Sequence, residues 1–267
     1  MERQKREKLD FILRRLGSFI VAFSGGVDSS FLLYHAHSMG DVKVMGVTIS
    51  TPYIPDVEIK GAVDFTKTYG ISHSIVKLDF PESIRYNPSD RCYLCKKMLF
   101  SELRTFAENK GFKWVIEGTN ADDSGEYRPG LRALRELDIK SPLMEAGITK
   151  KEIREYSLAA GLPTWDKPAM ACLLTRIPHD TKIEPEILRM IEKAEIFLSE
   201  RGFAGARVRV HDDLARIECL PSQFDKIVRD PEKEVITDTL KKIGFRYISL
   251  DLEGYRSGSF NPETRKL

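Results

Sequence analysis

Residues 24–30 read Ser-Gly-Gly-Val-Asp-Ser-Ser, directly after the apolar run Phe19-Ile20-Val21-Ala22-Phe23. These residue types suit an anion. Gly25 and Gly26 let the backbone approach a ligand without a Cβ in the way. The unpaired N–H groups of a helix opening at this point, with the helix dipole, favour negative charge. Ser24, Ser29 and Ser30 add hydroxyl donors. A Walker loop, G-x-x-x-x-G-K-S/T, is absent, so the lysine that such a loop lays on phosphate is missing. The plain alternative is an ordinary strand–turn–helix with a capping serine.

Cys92 and Cys95 form a C-x-x-C in Asp90-Arg91-Cys92-Tyr93-Leu94-Cys95-Lys96-Lys97. Spacing of three places both sulfurs on one face of a helix. The helix N-terminus and the flanking Arg91, Lys96 and Lys97 should favour thiolates. The pair suits a redox couple or half of a zinc site. Cys172, within Lys167–Pro178, is a third thiol, and His179 would complete a zinc site of three cysteines and one histidine. Three thiolates without a fourth ligand suit an iron–sulfur cluster with one iron left open. Cys219 sits among apolar residues and reads as a core thiol.

The stretches Ala206-Arg207-Val208-Arg209-Val210-His211 and Ala215-Arg216-Ile217-Glu218-Cys219 both alternate. A two-residue turn at Asp212-Asp213 would pair Val208 with Ile217 and Val210 with Ala215. Arg207 then faces Glu218, and Arg209 faces Arg216. Two opposed arginines are unfavourable unless an anion lies between them. A solvated hairpin face is one reading; a phosphate or carboxylate site is the sharper one, because arginine suits bidentate oxyanion binding. Glu195 is a weaker candidate to help a metal near this hairpin. His35, His37 and His73 read as packing or surface residues, and the run Lys140–Lys151 as surface.

Elements that alternate must position these groups. Leu9, Ile12, Leu13 and Leu16 predict a short opening helix. Strands are predicted at 18–23, 43–49, 74–80 and 113–117, with helices near 28–38, 56–69 and 91–109 between them. That alternation implies a doubly wound parallel α/β sheet, whose ligands bind at the carboxyl ends of the strands. The loops Ser24–Ser30, Ser50–Pro55 and Gly118–Asp123, the last including Asn120, should therefore line one crevice. Thr149-Lys150-Lys151-Glu152 is a capping box that starts a helix. Beyond a loop over 162–182 the pattern changes: a helix at 184–201, two strands, helical stretches at 221–229 and 231–243, and a strand Tyr247–Leu252. The expected division is a first domain over 1–165, a linker carrying Cys172 over 166–183, and a smaller α+β domain over 184–267, with a mobile tail after Gly254.

The 267 residues suffice for one large or two smaller domains, and 42% hydrophobic with 31% charged residues is a globular balance. A formal charge of +2 carries no polycationic signature of nucleic-acid binding. The N-terminus has no apolar signal region, and no run approaches the ~20 apolar residues of a membrane span. Four cysteines without such a signal point to a reducing cytoplasm.

The Ser24–Ser30 loop resembles the SGGxDS pyrophosphate loop (PP-loop) of the ATP pyrophosphatases. Together with Glu117–Asp123, Lys167–Pro178 and the ending Tyr247–Gly258, it makes the chain resemble the LarE family along its whole length. LarE proteins are ATP-dependent sulfur transferases that build the nickel-pincer nucleotide cofactor. The resemblance implies that ATP and Mg2+ are bound through Ser24, Gly25, Gly26, Asp28, Ser29, Ser30, Gly118 and Asn120. It implies a small-molecule nucleotide acceptor with carboxylates and a phosphate, held by Arg207, Arg209, Arg216 and Glu218. Some family members sacrifice the sulfur of a single cysteine matching Cys172. Having Cys92 and Cys95 as well, this chain resembles the three-cysteine type, in which a 4Fe–4S cluster carries the transferred sulfide. A homo-oligomer is expected, with no membrane or nucleic-acid partner and an unknown sulfur donor. A PP-loop tRNA thiolase is the runner-up, which should show a basic RNA surface or a zinc-ribbon domain; a non-enzymatic nucleotide or iron–sulfur module is the third reading.

Overall fold

The spacing of Leu9, Ile12, Leu13 and Leu16 folds as helix α1 (Arg3–Leu16), and these four residues are its buried face. Gly17, at φ 68°, ends the helix and turns the chain into β1 (Ser18–Ala22). The computed structural model describes residues 2–125, 129–168 and 171–256. After β1 come α2 (Val27–Met39), β2 (Lys43–Ser50), α3 (Asp56–Thr68), β3 (His73–Lys77), α4 (Arg91–Asn109), β4 (Trp114–Ile116), α5 (Pro129–Glu136), α6 (Pro142–Ala146) and α7 (Lys150–Ala159).

The four strands form a parallel sheet in the order β3-β2-β1-β4. Ile20 of β1 pairs with Met45 on one side and Val115 on the other. Both faces of β1 are covered, which is why its sequence is continuously apolar. Phe19 and Val21 pack with Leu9, Leu13, Phe31 and Ile153 in one core, and Ile20 packs with Phe100, Leu103 and Val115 in another. Each of these side chains contributes about 1.5–3 kcal/mol by leaving water. The strand order reverses at β1, between β2 and β4, so the loops after β1 and β4 leave the sheet at its topological switch point.

The second unit contains α8 (Pro185–Glu200), β5 (Arg207–His211), β6 (Leu214–Glu218), α9 (Phe224–Val228), α10 (Glu232–Ile243) and β7 (Tyr247–Leu250). Its sheet runs β5-β6-β7, with β5 and β6 antiparallel and β6 and β7 parallel. Leu188, Ile191, Ala194 and Leu198 form the buried stripe of α8. The hairpin turn at Asp212-Asp213 uses a left-handed Asp212, at φ 54°.

The expected fold class, a doubly wound parallel α/β sheet with a smaller α+β unit, is the one observed. Its details differ in three places. Helices α5 and α6 lie in a stretch whose sequence pattern predicts no element, because one is eight residues long and the other five. The stretch expected as a linker holds a 3-10 turn, Leu173–Arg176, and Leu173, Leu174, Arg176, Ile177 and Ile183 are buried. The chain divides into Met1–Pro81 with Asp90–Met170, and Glu82–Ser89 with Ala171–Leu267. Residues 82–89, counted with the first domain from sequence, thus group with the second, where Ile183 N–H donates to Arg85 O at 2.8 Å. The tail expected to be mobile lies outside the described residues beyond Arg256.

Candidate active site

In the first unit the geometry begins at β1. Gly25 sits at φ +69°, and a Cβ there would lie 3.4 Å from the backbone of Ala62 in α3. Gly26 is the N-cap of α2, and no side chain caps the helix. The first-turn N–H groups of Val27, Asp28 and Ser29 therefore have no intrahelical acceptor. Ser24 folds back over the turn: its Oγ lies 3.1 Å from Ser29 Oγ and accepts from Gly26 N–H at 3.3 Å. Ser29 Oγ donates to Gly26 O at 3.2 Å. Ser30 departs from expectation. It is wholly buried and its Oγ has no partner among the described residues, so it does not present a hydroxyl with Ser24 and Ser29.

The loop after β4 closes on this turn. A Cβ on Gly118 would lie 3.0 Å from Ser29 N and 3.1 Å from Asp28 Cβ, so only glycine lets the two loops approach this closely. Asn120 is buried and shapes the loop: its Oδ1 accepts from Asp122 N–H at 3.0 Å, and its own N–H donates to Asp123 Oδ2 at 3.1 Å. Glu117 Oε2 accepts from both the N–H and the hydroxyl of Thr119. Two lysines complete the ring. Lys150 Nζ donates to Asp28 Oδ2 at 2.6 Å, and Lys167 Nζ donates to Gly25 O at 3.0 Å and Glu58 Oε2 at 2.7 Å. The other oxygen of Asp28, Oδ1, is buried with no partner among the described residues. An orphaned carboxylate oxygen beside an anion loop fits a divalent cation such as Mg2+.

Cys92 and Cys95 stand in the first two turns of α4, the first exposed and the second half-buried. The Tyr53 hydroxyl, itself buried against Phe80, lies 3.2 Å from Cys95 Sγ. The flanking cations are less available than their spacing suggested. Arg91 is buried, and Lys97 is drawn to the Tyr93 hydroxyl and Glu136, both at 2.9 Å. Among the described residues no group of three or more His, Cys, Asp or Glu is gathered for a metal ion, so α4 by itself supplies a two-thiol face.

In the second unit Cys172 precedes the 3-10 turn Leu173–Arg176. Arg176 is fully buried and holds that segment together. Its guanidinium makes a two-point bond to Glu195 on α8, at 2.8 Å each, and donates to Ala171 O at 3.0 Å and Cys172 O at 3.3 Å. Glu195 also accepts from Val208 N–H on β5 at 2.9 Å, which ties it into structure rather than leaving it open for a metal. Asn87 Nδ2 donates to the carbonyls of Leu174, Ile177 and Pro178 at 3.3, 2.8 and 2.9 Å.

The hairpin has the register expected from its alternation, Arg207 opposite Glu218 and Arg209 opposite Arg216. The face is not solvated: Arg207, Arg209 and Glu218 are all buried. The anion between the opposed arginines is Glu218 itself. Its Oε2 accepts from Arg209 Nε at 3.0 Å and Nη2 at 2.8 Å, and its Oε1 lies 3.3 Å from Arg216 Nη2. Arg216 also pairs with Asp251, and Arg209 Nη1 reaches Thr175 O at 2.6 Å. Burial, and then the charge of Arg176, lower the Arg207 pKa from the usual arginine value.

The chain is 33% identical over 265 residues to the pyridinium-3,5-bisthiocarboxylic acid mononucleotide synthase of Lactiplantibacillus plantarum, spanning 98% of this chain and 95% of that protein. The chain belongs to the LarE family. It is also 38% identical to uncharacterized proteins of Synechocystis sp., over 98% of both chains, and of Methanocaldococcus jannaschii, over 89% of this chain and 90% of that one. No family model matches it. Like the family, it is an ATP-dependent sulfur transferase of the PP-loop kind. No described helix is long and apolar enough to cross a membrane.

Four residues around these LarE-family sites were not singled out from sequence. Lys150 falls in a run that reads as surface, although its place at the first position of a capped helix signals a fixed direction. Lys167 and Arg176 stand in the segment that carries the family resemblance. Asn87 has no signal of its own, since its partners lie 87 to 91 residues away. His35 is a packing residue, buried, with Nε2 on Asp10 Oδ1 at 2.6 Å. Cys219 is fully buried, and burial pushes its thiol pKa up.

Proposed function

We propose that this protein converts a pyridinium biscarboxylic acid mononucleotide to its thiocarboxylic form at the expense of ATP. The Ser24–Ser30 amides and the Ser24 and Ser29 hydroxyls hold the pyrophosphate portion, Asp28 is the residue toward Mg2+, and Gly118 and Asn120 shape the opposite wall. The acceptor carboxylate attacks the α-phosphorus, giving an acyl adenylate and releasing pyrophosphate. Sulfur then displaces AMP. The chain contributes position and charge stabilisation. The observation that carries this reading is the uncapped α2 N-terminus, approached by two glycine loops at the switch point of the sheet.

Arg207, Arg209, Arg216 and Glu218 are proposed as the acceptor's anion site. Four buried or half-buried arginines, counting Arg176, face three carboxylates there, Glu195, Glu218 and Asp251, so the cluster retains positive charge that suits a phosphate or carboxylate. Cys92, Cys95 and Cys172 are proposed as thiolate ligands of a 4Fe–4S cluster. When bound, that cluster would supply the transferable sulfide. The assembly proposed is a homo-oligomer.

The test is anaerobic purification with iron, sulfide and zinc counted per chain, followed by assays of AMP release and of thiocarboxylate formation. Each of Cys92→Ala, Cys95→Ala and Cys172→Ala should lose iron and repeated sulfur transfer while still releasing AMP, and Cys219→Ala should lose neither. If only Cys172→Ala is inactive and Cys172 is recovered as dehydroalanine in the wild type, sacrifice of the Cys172 sulfur replaces the cluster.

A further inference from the structure

Gly25 and Gly26 are consecutive, so the peptide between them has no side chain at either end to hold its direction. Such a peptide turns over readily, because glycine populates both signs of φ. Here it is held at both ends. Its carbonyl accepts from Lys167 Nζ at 3.0 Å, and its N–H donates to Ser24 Oγ at 3.3 Å. Lys167 is itself fixed. Its Nζ also donates to Glu58 Oε2 of α3 at 2.7 Å, and that carboxylate is only 12% exposed. The Lys167 N–H donates to Thr164 O at 3.1 Å, and its carbonyl accepts from Arg154 Nη2 of α7 at 3.0 Å. Arg154 Nη1 donates to Trp165 O in the same turn at 2.6 Å. A cation clamped through its backbone and its head group is thus aimed at one carbonyl of the anion loop.

We propose that Lys167 is a positioning residue of the anion loop: its ammonium holds the Gly25 carbonyl and so keeps the Gly25–Gly26 peptide from turning over. The inference rests on the nucleotide reading of Ser24–Ser30. Turned over, this peptide would set a carbonyl oxygen beside Ser24 Oγ in place of an N–H. A carbonyl dipole there repels the oxygens of a pyrophosphate, whereas the hydroxyls and first-turn amides around it attract them. The ammonium opposes the turn with a charge-assisted hydrogen bond, roughly twice as strong as a neutral one. Glu58 balances its charge, which lets a lysine stand in a half-buried place and keeps its head group from moving to a ligand. Lys167 therefore acts on the ligand through the backbone, without touching it. Only molecules with the peptide held this way bind well, so apparent affinity falls in proportion to the fraction that is held.

Two measurements on the full chain test this: nitrogen-15 relaxation dispersion at the Gly26 amide, which reads exchange on the μs–ms scale, and titration calorimetry with Mg2+-pyrophosphate. Wild type should be quiet at Gly26. Lys167→Met keeps the length of the stem and removes the ammonium. It should show exchange at Gly26 in the free protein, bind roughly tenfold more weakly as the held fraction falls to about a tenth, and become quiet again at saturation. If Lys167 instead contacts phosphate itself, Lys167→Met binds weakly while Gly26 stays quiet, which overturns the proposal. If the variant suffers only because Glu58 has lost its partner, adding Glu58→Leu restores affinity, which also overturns it; the proposal requires that the double variant stay weak and in exchange at Gly26. The two levels separate in the wild type. If wild type binds neither Mg2+-pyrophosphate nor an ATP analogue with a methylene between its α- and β-phosphorus atoms, the nucleotide reading fails. If wild type binds and Lys167→Met matches it in affinity and at Gly26, the role of Lys167 alone fails.

Discussion

Arg176 and Glu195 meet as a buried two-point ion pair, Nε to Oε1 and Nη2 to Oε2, each 2.8 Å. The pair does more than neutralise itself. Arg176 gathers the carbonyls of Ala171 and Cys172, and Glu195 receives Val208 N–H, so one pair fastens the Cys172 segment, α8 and β5. Removing one partner strands the other charge in a site with almost no water. Arg176→Ala should therefore cost about 3–5 kcal/mol of stability, read as a lowered thermal midpoint. Arg176→Met with Glu195→Leu should recover only part of the loss, because Val208 N–H and the two carbonyls still lack partners.

Arg209 is held by Glu218 and Thr175 O within the same unit, and Glu218 is wholly buried. Arg209→Ala leaves that carboxylate with Arg216. The expected result is a loss of about 3–5 kcal/mol together with weaker use of the acceptor. Arg216 is partly exposed, so Arg216→Ala should destabilise less. Urea unfolding of the two variants, side by side, checks the order.

Asn87 has a left-handed backbone, φ 51°, and its Nδ2 faces three carbonyls. Asn87→Gly keeps the backbone conformation and deletes the amide, so its cost of about 1–3 kcal/mol isolates the side chain. Asn87→Asp sets a carboxylate against the same carbonyls. Its folded pKa should rise above the unfolded value, so the variant should be most stable in acid and lose stability as pH rises through that folded pKa. Thermal melts of the three proteins between pH 4 and 8 decide this; a pH-independent difference between Asn87→Asp and wild type would refute it.

Glu152 closes the capping box of α7, the helix that begins at Lys150. Burial pushes its carboxyl pKa up, but the Lys5 ammonium and the Thr149 backbone and side chain outweigh burial and bring it from 4.5 to about 2. The folded value lies below the unfolded one, so the contribution is complete above pH 4.5 and is lost as pH falls toward 2. Glu152→Gln should lack this component. Its thermal midpoint should fall less steeply than wild type across that window.

Local pattern alone determined much of this protein. The continuous apolar run of β1, the glycines after it and the alternation of strands with amphipathic stretches required a covered parallel sheet with an anion loop at the carboxyl end of β1, because period and burial are local properties of the chain. The hairpin register followed from alternation and a two-residue turn for the same reason. Tertiary structure alone decided which charges meet. Lys150 reaches Asp28 across 122 residues, and Glu218 rather than a ligand lies between Arg209 and Arg216. It also buried Ser30, diverted Lys97 from the cysteine pair to Glu136, and joined residues 82–89 to the Cys172 segment through Asn87. Side-chain partnership depends on which surfaces the sheet and its helices bring within 3 Å, and no spacing along the chain encodes that distance.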